Sequence, residues 1–385
     1  MRLDILIYLK HFPSSGKPVI GGTAKAVDGL ATGLARCGAR VTVLCEGPSD
    51  TSVRSAAGYQ IRCFTVAWPN KAFSVSKSLR AWLDAPAQRD CVVILNGMFN
   101  RSVLRLAAHL KRRGRGYIVA PHDPYHPDIF AKNPHVKWPY WWLFEKPMLR
   151  GARAVQILDS RHAQYLEALG IRTPTVVAPN GFLDSEVLDE QALRWEEHGT
   201  TRLLFLGRLD MHNKGLDILL ESMASLGAGA DCHLTIQGPD WGDRRKLTAQ
   251  ATRIGVEARV TFRDPDYTKS SAELVAPCDI FCLPSRYEGF GLSALEAMLA
   301  SRVLLVSRVA GIAPHIEKSG CGVVVDPDAR AVADGLKSLF RQRASWKNMG
   351  AGGRDYALRH LRWESIARSV MPEYARAFPA RQPSC

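Results

Sequence analysis

Two successive series of apolar strands, each alternating with helices, run through the 385-residue chain. Short, continuously apolar strands that alternate with helices are typical of parallel sheets with helices on both faces. The sequence therefore predicts an α/β protein with two doubly wound parallel sheets. The strands expected in the first sheet are 3–9, 41–45, 60–67, 91–95, 116–120, 154–157 and 175–178. Those expected in the second are 202–207, 232–237, 259–262, 279–283, 303–306 and 322–325.

The boundary between the two series is expected within 176–201, a polar stretch that lacks strand periodicity and begins with a Pro-Asn-Gly turn. A chain of this length is too long for one ordinary core, so two domains are expected. We place the first at 1–180 and the second at 181–385. Two similar α/β halves that face each other would leave a cleft, which is a favoured place for a ligand.

The composition, with 46% apolar and 23% charged residues, is that of a soluble globular protein. No stretch reaches the roughly 20 apolar residues of a membrane span. The start, MRLDILIYLK, reads as a first strand rather than a signal peptide. Nine cysteines are scattered through apolar runs, as expected for reduced and buried thiols. We therefore expect a cytoplasmic protein.

The net charge of +14 is confined to the first half of the chain. Residues 1–180 hold 25 Lys+Arg against 11 Asp+Glu, whereas residues 181–385 hold 26 of each. A solvated basic surface is one interpretation. The other is that this half meets something anionic, such as a lipid surface at the inner face of the membrane or a phosphorylated acceptor. We expect no nucleic-acid partner.

The stretch PSRYEGFGLSALEAM (284–298) places two glutamates eight positions apart, Glu288 and Glu296. It follows a buried strand, so its loop lies at the carboxyl end where open α/β sheets bind ligands. Gly289 and Gly291 permit positive φ, and the amides that follow start a helix and suit an anion. The spacing favours two carboxylates that hold separate hydroxylated groups on either side of a diphosphate, as in a nucleotide sugar.

The stretch LLFLGRLDMHNKGLDILLES (203–222) is predicted to run from a strand through a loop into a helix. Arg208 and Lys214 flank the loop, and two cations beside a helix N-terminus suit a diphosphate. Neither a Walker A loop nor a dinucleotide fingerprint is present. Taken alone, these cations could equally be surface loop charges.

These motifs together resemble retaining GT-B glycosyltransferases, and in particular glycosyltransferase family 4. The glutamate pair matches the E-x7-E motif, and the stretch GRLDMHNKG also fits. The resemblance continues through PNG (179–181), VVVDP (323–327) and RWESIARSVMPEYARAF (362–378), and it covers nearly the whole chain. It implies two Rossmann-like domains that face each other across a cleft, the first for the acceptor and the second for the nucleotide sugar. The terminal helix 363–377 would pack back on the first domain.

The resemblance also implies roles for individual residues. Arg208 and Lys214 would hold the donor diphosphate, Glu288 the transferred hexose and Glu296 the ribose. The backbone of Gly289, Phe290, Gly291 and Leu292 would line the sugar and phosphates, and base contacts would come from near Gly238 and Arg263.

In the first half, Gly21 and Gly22 open a helix whose amides could meet the donor phosphates, with Thr23 and Lys25 as further candidates. His122 follows a strand, and the resemblance places a histidine there beside the donor hexose. His126 is a weaker candidate. An ordinary glycine loop and a turn histidine are the structural alternatives.

An aromatic stretch at 133–151, which includes an expected helix at 136–149, follows a basic run that ends at Arg115. The aromatic side chains either pack this helix onto its domain or form an interfacial anchor. We favour packing.

The expected reaction moves a hexose from a nucleoside diphosphate sugar to a hydroxyl acceptor with retention, in polysaccharide or glycolipid assembly. No cofactor and no metal are expected, because fixed cations would face the phosphates. Two DPD sequences, at 264–266 and 326–328, look like loop acids. The alternatives are a nucleotide-sugar epimerase of the same fold and a non-catalytic nucleotide-sugar-binding subunit. Departures from the family pattern, such as His315 in place of an acid, leave the base and the hexose undetermined.

Overall fold

The computed structural model describes residues 3–13, 21–66, 74–189, 193, 195, 199–227 and 229–379. The chain divides into two compact units, which we call the first domain (Met1–Gly181 with Arg362–Cys385) and the second domain (Phe182–Leu361). Each contains one sheet with helices around it, so the predicted α/β architecture is confirmed.

The sheet of the first domain has eight strands in the order β3-β4-β2-β1-β5-β6-β7-β8. All neighbouring strands are parallel except β3 and β4, which are antiparallel. The short polar edge strand β3 was not expected, so the prediction of a wholly parallel sheet was wrong at this edge. The strands are β1 (Asp4–Tyr8), β2 (Arg40–Gly47), β3 (Thr51–Arg54), β4 (Gln60–Thr65), β5 (Val92–Asn96), β6 (Ile118–Ala120), β7 (Ala154–Ile157) and β8 (Thr175–Val177).

The helices of the first domain cover this sheet, and one of them differs from expectation. The helix expected at 136–149 is broken into two α-helices joined by a π turn, Trp141–Glu145. Pro139 and Pro147 lack the amide hydrogens that a regular helix needs at these positions. The helices are α1 (Gly22–Arg36), α2 (Lys77–Asp84), α3 (Arg101–Arg112), α4 (Pro127–Ala131), α5 (Pro134–Tyr140), α6 (Lys146–Arg150) and α7 (Ala163–Ala168).

The second domain has a six-stranded parallel sheet in the order β11-β10-β9-β12-β13-β14. The interior strands β12 and β13 are buried along their whole length, as their composition predicted, whereas the edge strands β11 and β14 are only partly buried. The strands are β9 (Thr201–Leu206), β10 (Cys232–Gln237), β11 (Val260–Arg263), β12 (Ile280–Leu283), β13 (Val303–Ser307) and β14 (Gly322–Val325). The helices are α8 (Leu216–Ser225), α9 (Arg244–Arg253), α10 (Ser271–Val275), α11 (Leu292–Leu299), α12 (Ala313–Ser319), α13 (Ala329–Arg341) and α14 (Trp346–His360).

The terminal helix α15 (Trp363–Ala377) belongs to the first domain and packs against α1. Two glycines of α1 make room for it, since a Cβ on Gly29 would lie 1.9 Å from Nε1 of Trp363. Arg36 of α1 forms an ion pair with Glu364. Tyr374 donates a buried hydrogen bond of 2.6 Å to the Gln156 side chain of β7. The helix therefore contributes to the core of the first domain.

Within the described residues, every helix is too short or too polar to cross a bilayer. Eight cysteines are described, all as free thiols, and all but Cys37 are buried. Cys385 lies outside the described residues.

Candidate functional site

The loop after β9 and the loop after β12 are hydrogen-bonded to each other at the carboxyl edge of the second sheet. The Arg286 amide donates to the Asn213 carbonyl (2.9 Å), and its guanidinium donates two bonds, of 2.8 and 2.7 Å, to Asp217. Gly215 has φ 63°, and a Cβ there would lie 2.1 Å from the Pro284 carbonyl oxygen. Only glycine fits this approach, so the register of the two loops is fixed by the backbone.

Lys214 and Glu288 meet where these loops join. Nζ of Lys214 lies 2.5 Å from Oε2 of Glu288, and each side chain is 14% exposed. The Ser285 hydroxyl lies 3.4 Å from the same carboxylate oxygen. Two residues that the sequence placed in one site, 74 positions apart, are therefore in direct contact.

Arg208 lies on the same loop as Lys214 but makes a different contact. Its guanidinium lies over the ring of Trp241, 4.3 Å from the ring centre, and both side chains are exposed. Trp241, in the loop after β10, was missed by the sequence reasoning. Trp241 could have been found because it follows the carboxyl end of a strand, as Arg208 does. The role of Arg208 in diphosphate binding stays a prediction.

The backbone around Phe290 leads from Glu288 into α11. Gly291 has a positive φ (103°), a conformation that glycine permits. The Ile312 amide donates to the Phe290 carbonyl (2.9 Å), which ties this loop to the next one. Because a glycine is the N-cap, its side chain cannot satisfy the first amides of the helix that starts at Leu292.

Glu296 lies in the second turn of α11 and is only 8% exposed. The alternative of a solvated helix glutamate does not fit this burial. Glu296 thus lies on the helix that follows the loop of Glu288. Its contact with a ribose stays a prediction.

Gly238 and Arg263 lie at the ends of β10 and β11. The Gly238 amide donates to the Arg263 carbonyl (3.2 Å). These two residues, both predicted to contact the base, are therefore hydrogen-bonded to each other through the backbone. A Cβ on Gly238 would lie 1.9 Å from the Gly207 carbonyl oxygen. The loops after β9, β10 and β11 therefore lie side by side along one edge of the sheet.

In the first domain, His122 follows β6 in a left-handed conformation (φ 67°). Its Nε2 lies 2.6 Å from Oδ1 of Asn96, whose amide nitrogen donates to the Tyr8 carbonyl (3.0 Å). Because Asn96 uses its nitrogen there, its oxygen accepts, and Nε2 of His122 carries the hydrogen. Burial lowers the pKa of His122 to about 4. The imidazole is therefore neutral at pH 7 and presents Nδ1 as an acceptor.

The other first-domain candidates occupy helix ends. Gly21 is the N-cap of α1 (φ 94°) and Gly22 is its first residue, and both are exposed. Residues 14–20, which precede them, lie outside the described residues. Nδ1 of His126 accepts from the Asp128 amide (3.3 Å) and caps α4, so a structural reason accounts for this weaker candidate.

The acids of the two DPD sequences have local partners. Asp264 forms an ion pair with Arg244, and Asp326 accepts from Arg308 (3.1 Å). In the part of the chain that the structure describes, no three His, Cys, Asp or Glu side chains are grouped in a way that would hold a metal ion.

Two family models match the chain. Residues 21–181 match the description "Glycosyl transferase 4-like domain", and residues 189–356 match "Glycosyl transferases group 1". Among curated proteins, a phosphatidyl-myo-inositol mannosyltransferase of Mycobacterium tuberculosis is 30% identical over 228 residues. This match covers 57% of the chain and 58% of that protein's length.

Two solved structures share the fold over nearly the whole chain. Sucrose-phosphate synthase from Thermosynechococcus elongatus has a TM-score of 0.79 at 19% identity, and the match covers 99% of this chain and 100% of the synthase chain. Anabaena HepE, solved with UDP and glucose, has a TM-score of 0.70 at 19% identity and covers 97% and 100%.

Proposed function

The chain belongs to family 4 of the GT-B glycosyltransferases, and on that premise we propose that it moves a hexose from a nucleoside diphosphate sugar to a hydroxyl acceptor. The proposed transfer retains the configuration at the anomeric carbon and uses no metal. The observation that carries this proposal is the contact between Lys214 and Glu288 at the carboxyl edge of the second sheet, just before α11. A cation there suits a phosphate, and a carboxylate beside it suits sugar hydroxyls.

We propose that the donor lies across the joined loops of the second domain. Lys214 binds the diphosphate, with Arg208 as a second cation, and Glu288 accepts hydrogen bonds from the hexose. The first amides of α11, after Gly291, face the phosphate oxygens. Glu296 receives the ribose, and the base lies near Gly238 and Arg263, where three loops run side by side.

Catalysis in this proposal rests on charge that is placed before the reaction begins. The bond from the anomeric carbon to the leaving phosphate breaks through an oxocarbenium-like state, and negative charge grows on the phosphate. Lys214 is held by Glu288 and does not have to be ordered at that moment. Loss of such a group costs about 3 kcal/mol, or roughly a hundredfold in rate. The leaving phosphate takes the acceptor proton.

For His122 we propose a hydrogen-bonding role. A neutral imidazole that donates from Nε2 to Asn96 accepts through Nδ1. Because the pKa of His122 is about 4, its protonated form is scarcely populated at pH 7 and cannot serve as a proton donor there. It therefore suits a hexose hydroxyl rather than proton donation to the leaving group. The roles of Gly21 and Gly22 at the donor phosphates rest on the family resemblance.

We propose a lipid-linked or saccharide hydroxyl as the acceptor. The mannosyltransferase relative is named for a lipid acceptor, and the positive charge of the first 180 residues suits an anionic one.

The proposal is tested by incubating the full chain with a panel of nucleoside diphosphate hexoses and following the anomeric proton by NMR. We expect slow hydrolysis of the donor, with water as the acceptor and with retained configuration, and no loss of activity in a chelator. Glu288→Gln should turn over at least about a hundredfold more slowly. Inverted product, or activity that needs an added metal, would overturn those parts of the proposal. Interconversion of the donor hexose without release of the nucleotide would favour an epimerase.

A further inference from the structure

An apolar surface projects from the first domain around the π turn. We call it the aromatic surface and define it by five exposed side chains, Val136, Trp138, Trp142, Leu143 and Phe144. Their exposed fractions run from 38% to 66%. They make up most of the large hydrophobic side chains that are exposed among the described residues, and all lie within nine consecutive positions. Such a cluster marks an interaction site more often than chance exposure.

The way this segment packs explains the exposure. Trp141 and Glu145 are completely buried and lie four positions apart, so one narrow stripe of the π turn faces the domain. The three residues between them, Trp142, Leu143 and Phe144, therefore lie on the parts of the turn that face away. We had expected the aromatic side chains to pack onto the domain. This is true of Trp141 and in part of Trp138, which stacks on Phe130, but wrong for Trp142 and Phe144.

The buried stripe also holds the surface in place. The Trp141 ring lies 5.2 Å from that of Tyr125 and 5.5 Å from that of Phe130, and Trp138 stacks on Phe130 at 4.4 Å. Glu145 accepts from the Tyr125 hydroxyl (2.7 Å). The apolar side chains are thus presented by a packed element, and little ordering is required when a partner binds.

Within the segment that carries the aromatic surface, the exposed charges have one sign. Between Asp128 and Asp159 the sequence has a single acid, Glu145, and it is buried. The same interval holds five cations, of which Lys146 is only 8% exposed, and its Nζ lies 4.1 Å from the centre of the Trp142 ring. These cations are Lys132, Lys137, Lys146, Arg150 and Arg153.

We propose that the aromatic surface docks on a bilayer that contains anionic lipid. The side chains of Trp142, Leu143 and Phe144 enter the boundary between headgroups and acyl chains, and the cations lie beside the headgroups. Tryptophan together with lysine is typical of such boundaries. A protein partner would more often meet a rim with both signs of charge. The surface lies in the first domain, so lipid binding is measurable without a donor and independently of the proposed transfer.

The test is cosedimentation of the full chain with phosphatidylcholine vesicles that contain about a third phosphatidylglycerol, and with pure phosphatidylcholine vesicles. We expect stronger binding to the anionic vesicles. The triple variant Trp142→Gln, Leu143→Gln and Phe144→Gln should bind at least about tenfold more weakly, since it removes the apolar contact. Because all three side chains are exposed, its unfolding midpoint should match the wild type.

The matched control is Tyr267→Gln, which removes a 67% exposed aromatic side chain from the second domain. It should bind vesicles as the wild type does. Wild-type chain that binds neither kind of vesicle would overturn the proposal. So would a triple variant that binds like the wild type, because the cations alone would then account for binding. A wild-type dimer that the triple variant dissociates, without vesicle binding, would assign the surface to a second copy instead.

Discussion

The substitutions Lys214→Met and Glu288→Gln test whether the ion pair at the candidate site couples the two loops. Each removes a charge and keeps most of the side-chain volume. At a separation of 2.5 Å and an effective dielectric constant of about 20, the gross attraction is about 7 kcal/mol. Desolvation of two ions that are each 14% exposed offsets most of it. We expect a net coupling free energy of about 1–2 kcal/mol, above the value usual for exposed pairs.

The assay is a double-mutant cycle on the free energy of unfolding of the full chain in urea, without ligand at pH 7. The stability losses of the two single variants should add up to more than the loss of the double variant, and the difference is the coupling free energy. The control cycle uses Arg330 and Asp334, an ion pair on α13 whose side chains are 93% and 61% exposed, and its coupling should be close to zero. Additive effects of Lys214 and Glu288 would refute the reasoning, because the two side chains would then not interact in solution.

Three further substitutions, and a fourth that serves as a control, have calculable effects on the free energy of unfolding. Gly215→Ala should cost about 2 kcal/mol or more, since φ is 63° and the new Cβ would meet the Pro284 carbonyl. Gly227→Ala (φ 81°, open space) should cost only about 1 kcal/mol, and equal losses in urea would contradict the argument. Burial lowers the pKa of His122 to about 4, so the folded state resists its protonation and stability falls below pH 6.5. His122→Asn should remove about 2 kcal/mol of the wild-type loss between pH 7 and pH 5, and an unchanged pH profile would contradict this. Burial raises the pKa of Glu145 to about 7, so the folded state binds this proton more tightly than the unfolded state does. The contribution of Glu145 to the free energy of unfolding therefore falls as the pH rises from 4.5 to 7. Glu145→Gln should shift the profile in the opposite direction to His122→Asn, and a shift in the same direction would count against the burial of the carboxyl.

The strands could be predicted because a parallel sheet buries both faces, which leaves runs such as VVIL in β5 and VLLV in β13. The edge strand β3, TSVR, could not, because it is short and half polar, with a burial pattern typical of an edge. The prolines of the expected helix 136–149 were visible in the sequence. How the backbone would resolve them into a π turn depends on the contacts of the buried Trp141.

The candidate site was predictable as a set of loops, because the carboxyl ends of parallel strands share one edge. Lys214 and Glu288 were both expected there, but their direct contact depends on the Arg286–Asn213 bond between two loops that are distant in sequence. The Arg208–Trp241 contact joins neighbouring loops in the same way. Side-chain contacts of this kind depend on how neighbouring loops are aligned with each other. The pattern of residues in a single sequence does not predict that alignment.

A thermal-shift titration of the full chain with nucleoside diphosphate sugars tests directly whether Lys214 holds the donor diphosphate. We compare wild type with Lys214→Met and with Lys246→Met, which removes a 68% exposed cation of α9. We predict that at least one donor raises the unfolding temperature of the wild type and of Lys246→Met, and raises that of Lys214→Met much less. Equal stabilisation of all three chains would contradict the claim that Lys214 holds the donor diphosphate.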